Sequence, residues 1–192
     1  MAIRPILHIP TPCLREVAAP VVEINDEIKT LVKDMFDTMY DAPGVALAAP
    51  QIGVMHRVIV MDPAGEEEDP VPLAMINPDI TWFSEELRVH QEGCLSIPEY
   101  YEDVERPDLC KVTFLDVDGK SHELECEGLL STIVQHEADH LNGKLFIDYL
   151  LPLKRDRIRK KLEKEAKMAQ RHASELSYAA EPAEKALMEA LA

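Results

Sequence analysis

Apolar residues recur along this chain with two different periods, and the change between them outlines the elements. Ile28, Leu31, Val32, Met35, Phe36 and Met39 follow the three- and four-residue spacing of a helix with one buried stripe. Asn25 or Asp26 caps that helix, which runs to about Tyr40 and ends at Asp41-Ala42-Pro43-Gly44. Arg57–Met61 reads as a strand, and Met75–Asn77 and Thr81–Phe83 as two short ones. Leu87–His90 leads into Gln91–Pro98, where Gly93 permits a bend. Lys111–Val117 and Ser121–Cys126 flank Asp118-Gly119, a strong hairpin signal. Helical spacing returns from about Leu129 to Leu141, with Gly143 placed as a stop, and again from Pro152 to about His172.

The remaining stretches are punctuation. Residues 1–24 are irregular, broken by Pro5, Pro10, Pro12 and Pro20. Asp62–Pro72 is an acidic loop with one glycine and three prolines, expected on the solvated surface. Ala173–Ala192 is rich in Ala and Glu and contains Pro182, which predicts a loosely held, partly helical tail. The pattern predicts one domain over 1–172 followed by that tail, 173–192, without internal repeats.

Composition narrows the function classes. No apolar run reaches the length of a membrane span and the first ten residues lack a secretory pattern, so the expected location is cytoplasmic, with no membrane partner. A formal charge of −16 argues against sequence-specific nucleic-acid binding. The charge is uneven. Residues 154–171 carry nine Lys or Arg against three acids, leaving 11 basic and 33 acidic residues elsewhere. Cys13, Cys94, Cys110 and Cys126 contain no Cys-x-x-Cys pair, and a cytosolic setting disfavours disulfides.

The chemistry concentrates in Gln135-His136-Glu137-Ala138-Asp139-His140. On a helix His136 and His140 stack on one face and can reach a single metal ion. Glu137 lies about 100° round the helix, where it can touch a water bound to that ion. A catalytic site needs a third protein ligand and an open position. The extended metalloprotease pattern would put a third histidine where Phe146 stands. Glu163 or Glu165 of the next helix would complete a zinc-protease arrangement, His136, His140 and Glu163. Cys94, a thiol in a Gly-flanked turn, is the third option; a structural module closed by four protein ligands is the non-catalytic one. Gln51 also stands out, because an amide within the small apolar run Val45–Gly53 requires partners.

Gly44-Val45-Ala46-Leu47-Ala48-Ala49-Pro50-Gln51-Ile52-Gly53, Glu92-Gly93-Cys94-Leu95-Ser96 and Gln135–His140 together resemble the three signature motifs of the peptide deformylases, in that family's order and spacing. The similarity spans most of residues 1–170. It implies an α+β fold with small antiparallel sheets packed around a central metal-binding helix, plus a C-terminal helix. It implies a metallohydrolase that removes the formyl group from the formyl-methionyl N-termini of nascent peptides, releasing formate. It further implies that Cys94, His136 and His140 bind one divalent ion, Fe2+ in the cell, with Zn2+, Ni2+ or Co2+ able to substitute. Glu137 then serves as proton-transfer group, and the Gln51 amide and Leu95 N–H as oxyanion donors.

Helix spacing places Leu129, Thr132 and Ile133 one and two turns before His136, as the floor for an unbranched methionine side chain. Val45, Ala46 and Gly93 offer backbone groups to the peptide as an added strand would. Glu92 either orients a ligating histidine or pairs with Arg106. Ala46 stands where the family has Gly, and its methyl is expected to narrow the cleft mouth. Some deformylases dock on the ribosome through the C-terminal helix, which implies the same for the basic stretch 154–171, with Arg155, Arg159, Lys160 and Lys164 facing phosphates.

Overall fold

The computed structural model describes residues 2–65 and 69–190, with side chains described to residue 171. Within the acidic loop 62–72, residues 66–68 lie outside the described residues, as do 191 and 192 of the expected tail. The chain divides into two compact units, Met1–Leu151 and Pro152–Ala192.

In the first unit, α1 (Asp26–Asp41) begins where Asn25 accepts a hydrogen bond from the Ile28 N–H at 3.1 Å, the cap that its side chain favours. β1 (Ala46–Ala48), β2 (Val58–Met61), β3 (Leu73–Phe83), β6 (Leu109–Leu115) and β7 (Ser121–Glu127) form one antiparallel sheet in the order β1-β2-β3-β6-β7. β4 (Leu87–Cys94) and β5 (Ile97–Pro107) form a separate two-stranded ribbon. α2 (Gly128–Leu141) follows β7 directly.

The larger sheet is covered on both faces. Ala46, Ala48, Ile59 and Met61 pack on the side of Ile133, Val134 and Leu141 from α2. The alternate residues Leu47, Val58 and Val60 pack with Ile28, Leu31, Val32, Met35 and Met39 from α1. Two-sided burial explains why β1 and β2 are continuous apolar runs without polar alternation.

Two strand expectations change. Met75–Asn77 and Thr81–Phe83 belong to a single eleven-residue strand, β3, whose register against β6 shifts between Ile76 and Asp79. Asn77 sits there at φ 52°, and its amide side chain accepts from the Val21 N–H and donates to the Val21 carbonyl, both at 2.8 Å. Those bonds hold the irregularity that sequence spacing reads as a break. The stretch after Pro98 continues as β5, eleven residues long and unpredicted, because its exposed positions alternate with Val104 and Arg106 rather than with a run of apolar residues.

α2 ends as expected. Gly143 has φ 68°, and a Cβ there would lie 2.5 Å from the Arg15 carbonyl oxygen, so both conformation and space require glycine. The second unit is α3, one helix from Pro152 to Ala190, extending through the stretch read as tail. Arg159–Glu163 at 3.6 Å and Lys161–Glu165 at 3.8 Å are i,i+4 pairs along it.

Candidate metal centre

Three elements converge on one point. α2 supplies His136 and His140, and the end of β4 supplies Cys94 at the tight turn into β5. One donor atom from each of the three lies within 4.8 Å of the others, and among the described residues no other His, Cys, Asp or Glu joins the group. The His140 Nε2 and Cys94 Sγ are 3.2 Å apart. A thiolate and two imidazoles make a borderline-soft donor set, one sulfur with a pair of nitrogens, suited to a divalent transition metal with a position left for water or substrate.

The charges around the cluster agree with that fit. Burial drives the His140 pKa well below its ordinary value, which keeps the imidazole neutral, as ligation requires. Burial works the same way on His136, but its hydrogen bonds to the Cys94 sulfur and the Glu92 carboxylate outweigh it and raise the pKa. A cation bound in the cluster would take the place of a proton on the His136 nitrogen that faces it, since ligation requires that nitrogen deprotonated. The Glu137 Oε2 is buried without a hydrogen-bond partner from the protein, as expected for a group that meets a water or a substrate atom. Burial pushes the Glu137 carboxyl up to about 7, against the opposing charge of His136.

Glu92 meets both of its expected partners. Its Oε2 takes the His136 Nδ1 at 2.8 Å, leaving Nε2 to face the cluster, while Arg106 grips the same carboxylate through Nε at 2.5 Å and Nη2 at 3.0 Å. Arg106 also donates to Asp139 at 2.8 Å and lies 4.6 Å over the Tyr149 ring, whose hydroxyl bonds Asp139 at 3.1 Å. Asp139 and Tyr149 were not singled out from sequence. The available signal was Asp139 in the turn of helix between the two histidines.

Gln51 finds the partners its burial demands. Its Oε1 accepts from the Ala48 N–H at 2.8 Å, so its NH2 is turned to Ser96 Oγ at 3.2 Å and Cys94 Sγ at 3.5 Å. The amide orientation is thus set by the Ala48 N–H at the end of β1, just before the 3₁₀ turn Ala49–Ile52 that carries Gln51, and its donor end faces the cluster.

A cavity of about 370 Å3 opens beside these groups. It is lined by Val45, Ala46, Gln51, Glu92, Gly93, Cys94, Leu95, Leu129, Thr132, Ile133, His136 and Glu137, so all of the expected pocket positions meet there. Tyr100 and Tyr101 line it as well and were not anticipated. Ala46 lines the cavity while only 8% exposed and packed in the apolar cluster beneath α2; Val45, which lines it too, is 54% exposed. Glu163 pairs with Arg159 on its own helix.

An α+β frame carrying a Cys-His-His cluster, with an unpartnered glutamate beside it and an oriented amide donor, defines a metal-dependent hydrolase of the His-Glu-x-x-His type. The comparisons place it more closely. The sequence model described as polypeptide deformylase matches residues 3–156, and the chain belongs to that family. It is 56% identical to the peptide deformylase of Afipia carboxidovorans over 169 residues, covering 88% of this chain and 99% of that protein. The Bradyrhizobium diazoefficiens peptide deformylase is 55% identical over 174 residues, covering 88% and 100%. Among solved structures, a peptide deformylase from Legionella pneumophila aligns with TM-score 0.80 at 46% identity, over 88% of this chain and 99% of that one. One from Ehrlichia chaffeensis, in complex with actinonin, aligns with TM-score 0.81 at 37% identity, over 86% and 98%. No helix among the described residues is long and apolar enough to cross a membrane.

Proposed function

We propose that this chain removes the formyl group from formyl-methionyl N-termini of nascent polypeptides, with Cys94, His136 and His140 as metal ligands and Fe2+ as the ion in the cell. The observation that carries the reading is the meeting, in one cavity, of the three-donor cluster, the unpartnered Glu137 carboxyl and the amide end of Gln51. When bound, the divalent ion supplies Lewis acidity and makes water nucleophilic near neutral pH. The chain does the rest. Leu129, Thr132 and Ile133 seat the methionine side chain, and the backbones at Val45, Ala46 and Gly93 align the peptide. Glu137 accepts the proton of the attacking water and returns it to the leaving amine. The Gln51 NH2 and the Leu95 N–H receive the negative charge that develops on the formyl oxygen, each worth roughly 3 kcal/mol. Glu92 holds His136 in the tautomer that presents Nε2.

The deciding test is turnover of formyl-Met-Ala-Ser beside acetyl-Met-Ala-Ser with the iron-loaded protein. Release of formate from the first and inertness of the second is expected. Inertness of both would remove the activity. Metal analysis of Cys94→Ser should show loss of the ion, and Glu163→Ala should retain it. Actinonin, by analogy with the Ehrlichia protein, should compete with the peptide.

The chain acts in the cytoplasm in this reading, and the basic stretch 154–171 of α3 brings it to the ribosome. What supports this is nine cations on one helical segment of an otherwise acidic protein. Co-sedimentation with ribosomes at low salt should be lost when Arg155, Lys160 and Lys164 are replaced by Glu, with peptide turnover unchanged. Undiminished co-sedimentation would end the ribosome reading alone.

A further inference from the structure

The β4–β5 ribbon has two unlike faces. Residues 88, 90 and 92 of β4 share one face with 102, 104 and 106 of β5; Glu92, Val104 and Arg106 are buried there, and Arg88, at the far end, is exposed. Leu87, Val89, Gln91 and Gly93 take the opposite face. On that outer face Leu87 is 55% exposed, Val89 57% and Tyr101 66%. Tyr101 pairs with Gly93, and a Cβ at Gly93 would lie 2.5 Å from its ring, so the aromatic ring lies across the glycine at the edge of the cavity. Among the described residues β4 is bonded to β5 alone, and its other edge has no strand partner. The cavity reaches this edge, because Gln91, Gly93 and Tyr101 are among its lining residues.

From the cavity this face therefore runs through Gln91 to Val89 and Leu87, with Asp103 and Glu105 opposite Gln91 and Val89, along a strand whose edge is open. Apolar side chains at i, i+2 on the solvent face of a strand that reaches a peptide cleft can take apolar side chains from a strand laid along the same edge. We propose that Val89 and Leu87, with Tyr101 at the cavity edge, form a second contact surface for the substrate chain itself, taking apolar side chains well downstream of the formyl-methionine. This rests on the deformylase reading and extends it from the N-terminal residue to the emerging chain.

The register follows from strand geometry. Both strands advance about 3.3 Å per residue. With the first residue held beside Gly93, an extended chain running antiparallel to β4 brings its fifth residue beside Val89 and its seventh beside Leu87. The contact is made equally in ground and transition states, so it acts on KM and leaves kcat unchanged.

The experiment compares formyl-Met-Ala-Ser with two formyl-Met octapeptides, alike except for Leu or Ser at both the fifth and seventh positions. In the parent, kcat/KM for the Leu octapeptide should exceed that for the Ser octapeptide by about fivefold, half-burying two aliphatic side chains. Val89→Thr with Leu87→Thr, which keeps strand propensity, should bring the ratio to about one while turnover of the tripeptide is unchanged. A parent ratio of one, a ratio that survives in the variant, or a difference carried by kcat overturns the proposal. Absence of formate release from the tripeptide itself would overturn the deformylase reading and this one with it.

Discussion

Glu137 and Gln51 are both buried polar groups whose loose ends face the metal cluster, and each makes a separable prediction. Glu137→Gln should keep the fold and the metal while lowering kcat by about 10² to 10⁴, the usual contribution of a positioned acid–base group; metal analysis and single-turnover kinetics check this. In the proposed role of Glu137 the carboxylate is the active form, and burial raises its pKa to about 7 from 4.5. Activity is therefore retained above that raised value and lost as pH falls through it, with a bound cation pulling the midpoint back toward 4.5. The acid limb of kcat/KM should fall within that interval and be absent from Glu137→Gln. At Gln51, a Glu keeps the acceptor for the Ala48 N–H but replaces the donor that faces Cys94. Gln51→Glu should fold normally by circular dichroism and lose about 10²-fold or more in kcat, because the missing group acts on charge that exists only in the transition state.

Between elements, the important contact is the clasp that ties the β4–β5 ribbon to α2. Glu92 from β4 and Arg106 from β5 are both nearly fully buried and meet His136 and Asp139 of α2. Removing Arg106 would leave the Glu92 and Asp139 carboxylates facing each other without their cation. Arg106→Leu should cost about 3 to 5 kcal/mol in denaturant unfolding and weaken metal affinity about 10- to 100-fold by releasing the His136 ring. Arg106→Lys should recover the charge and little of the affinity, since an ammonium cannot reproduce the two-pronged grip. Burial alone would raise the Glu92 pKa, but hydrogen bonds from His136 and Arg106 hold it below 4.5. Its contribution to stability is complete above the unfolded value and is lost as pH falls below it, so the Tm gap between parent and Glu92→Gln should close on acidification.

At the scale of the whole molecule, the residues proposed for the active site lie within the unit Met1–Leu151. We take residues 1–172 as the catalytic domain and 173–192 as dispensable to the reaction. Deleting 173–192 is expected to leave kcat/KM on a formyl-Met tripeptide within about twofold, and a larger loss would tie the end of α3 to catalysis.

Sequence by itself determined whatever is decided within one helix turn or one hairpin. The stripe and cap of α1, the Asp118-Gly119 hairpin, the stacking of His136 on His140 and the stop at Gly143 all rest on neighbours a few residues apart. The three motifs likewise identified the family from local patterns. Tertiary structure decided what depends on register between distant segments. Glu92 reaches His136 across 44 positions, Arg106 reaches Asp139 across 33, and Gln51 reaches Cys94 across 43. Glu92 had two expected partners, and only the pairing of β4 with β5 against α2 lets one carboxylate satisfy both. The same register, with its period of two, turns Val89 and Leu87 outward while it turns Glu92 inward. No local pattern carries that choice, because a strand has the same propensity whichever way its faces point.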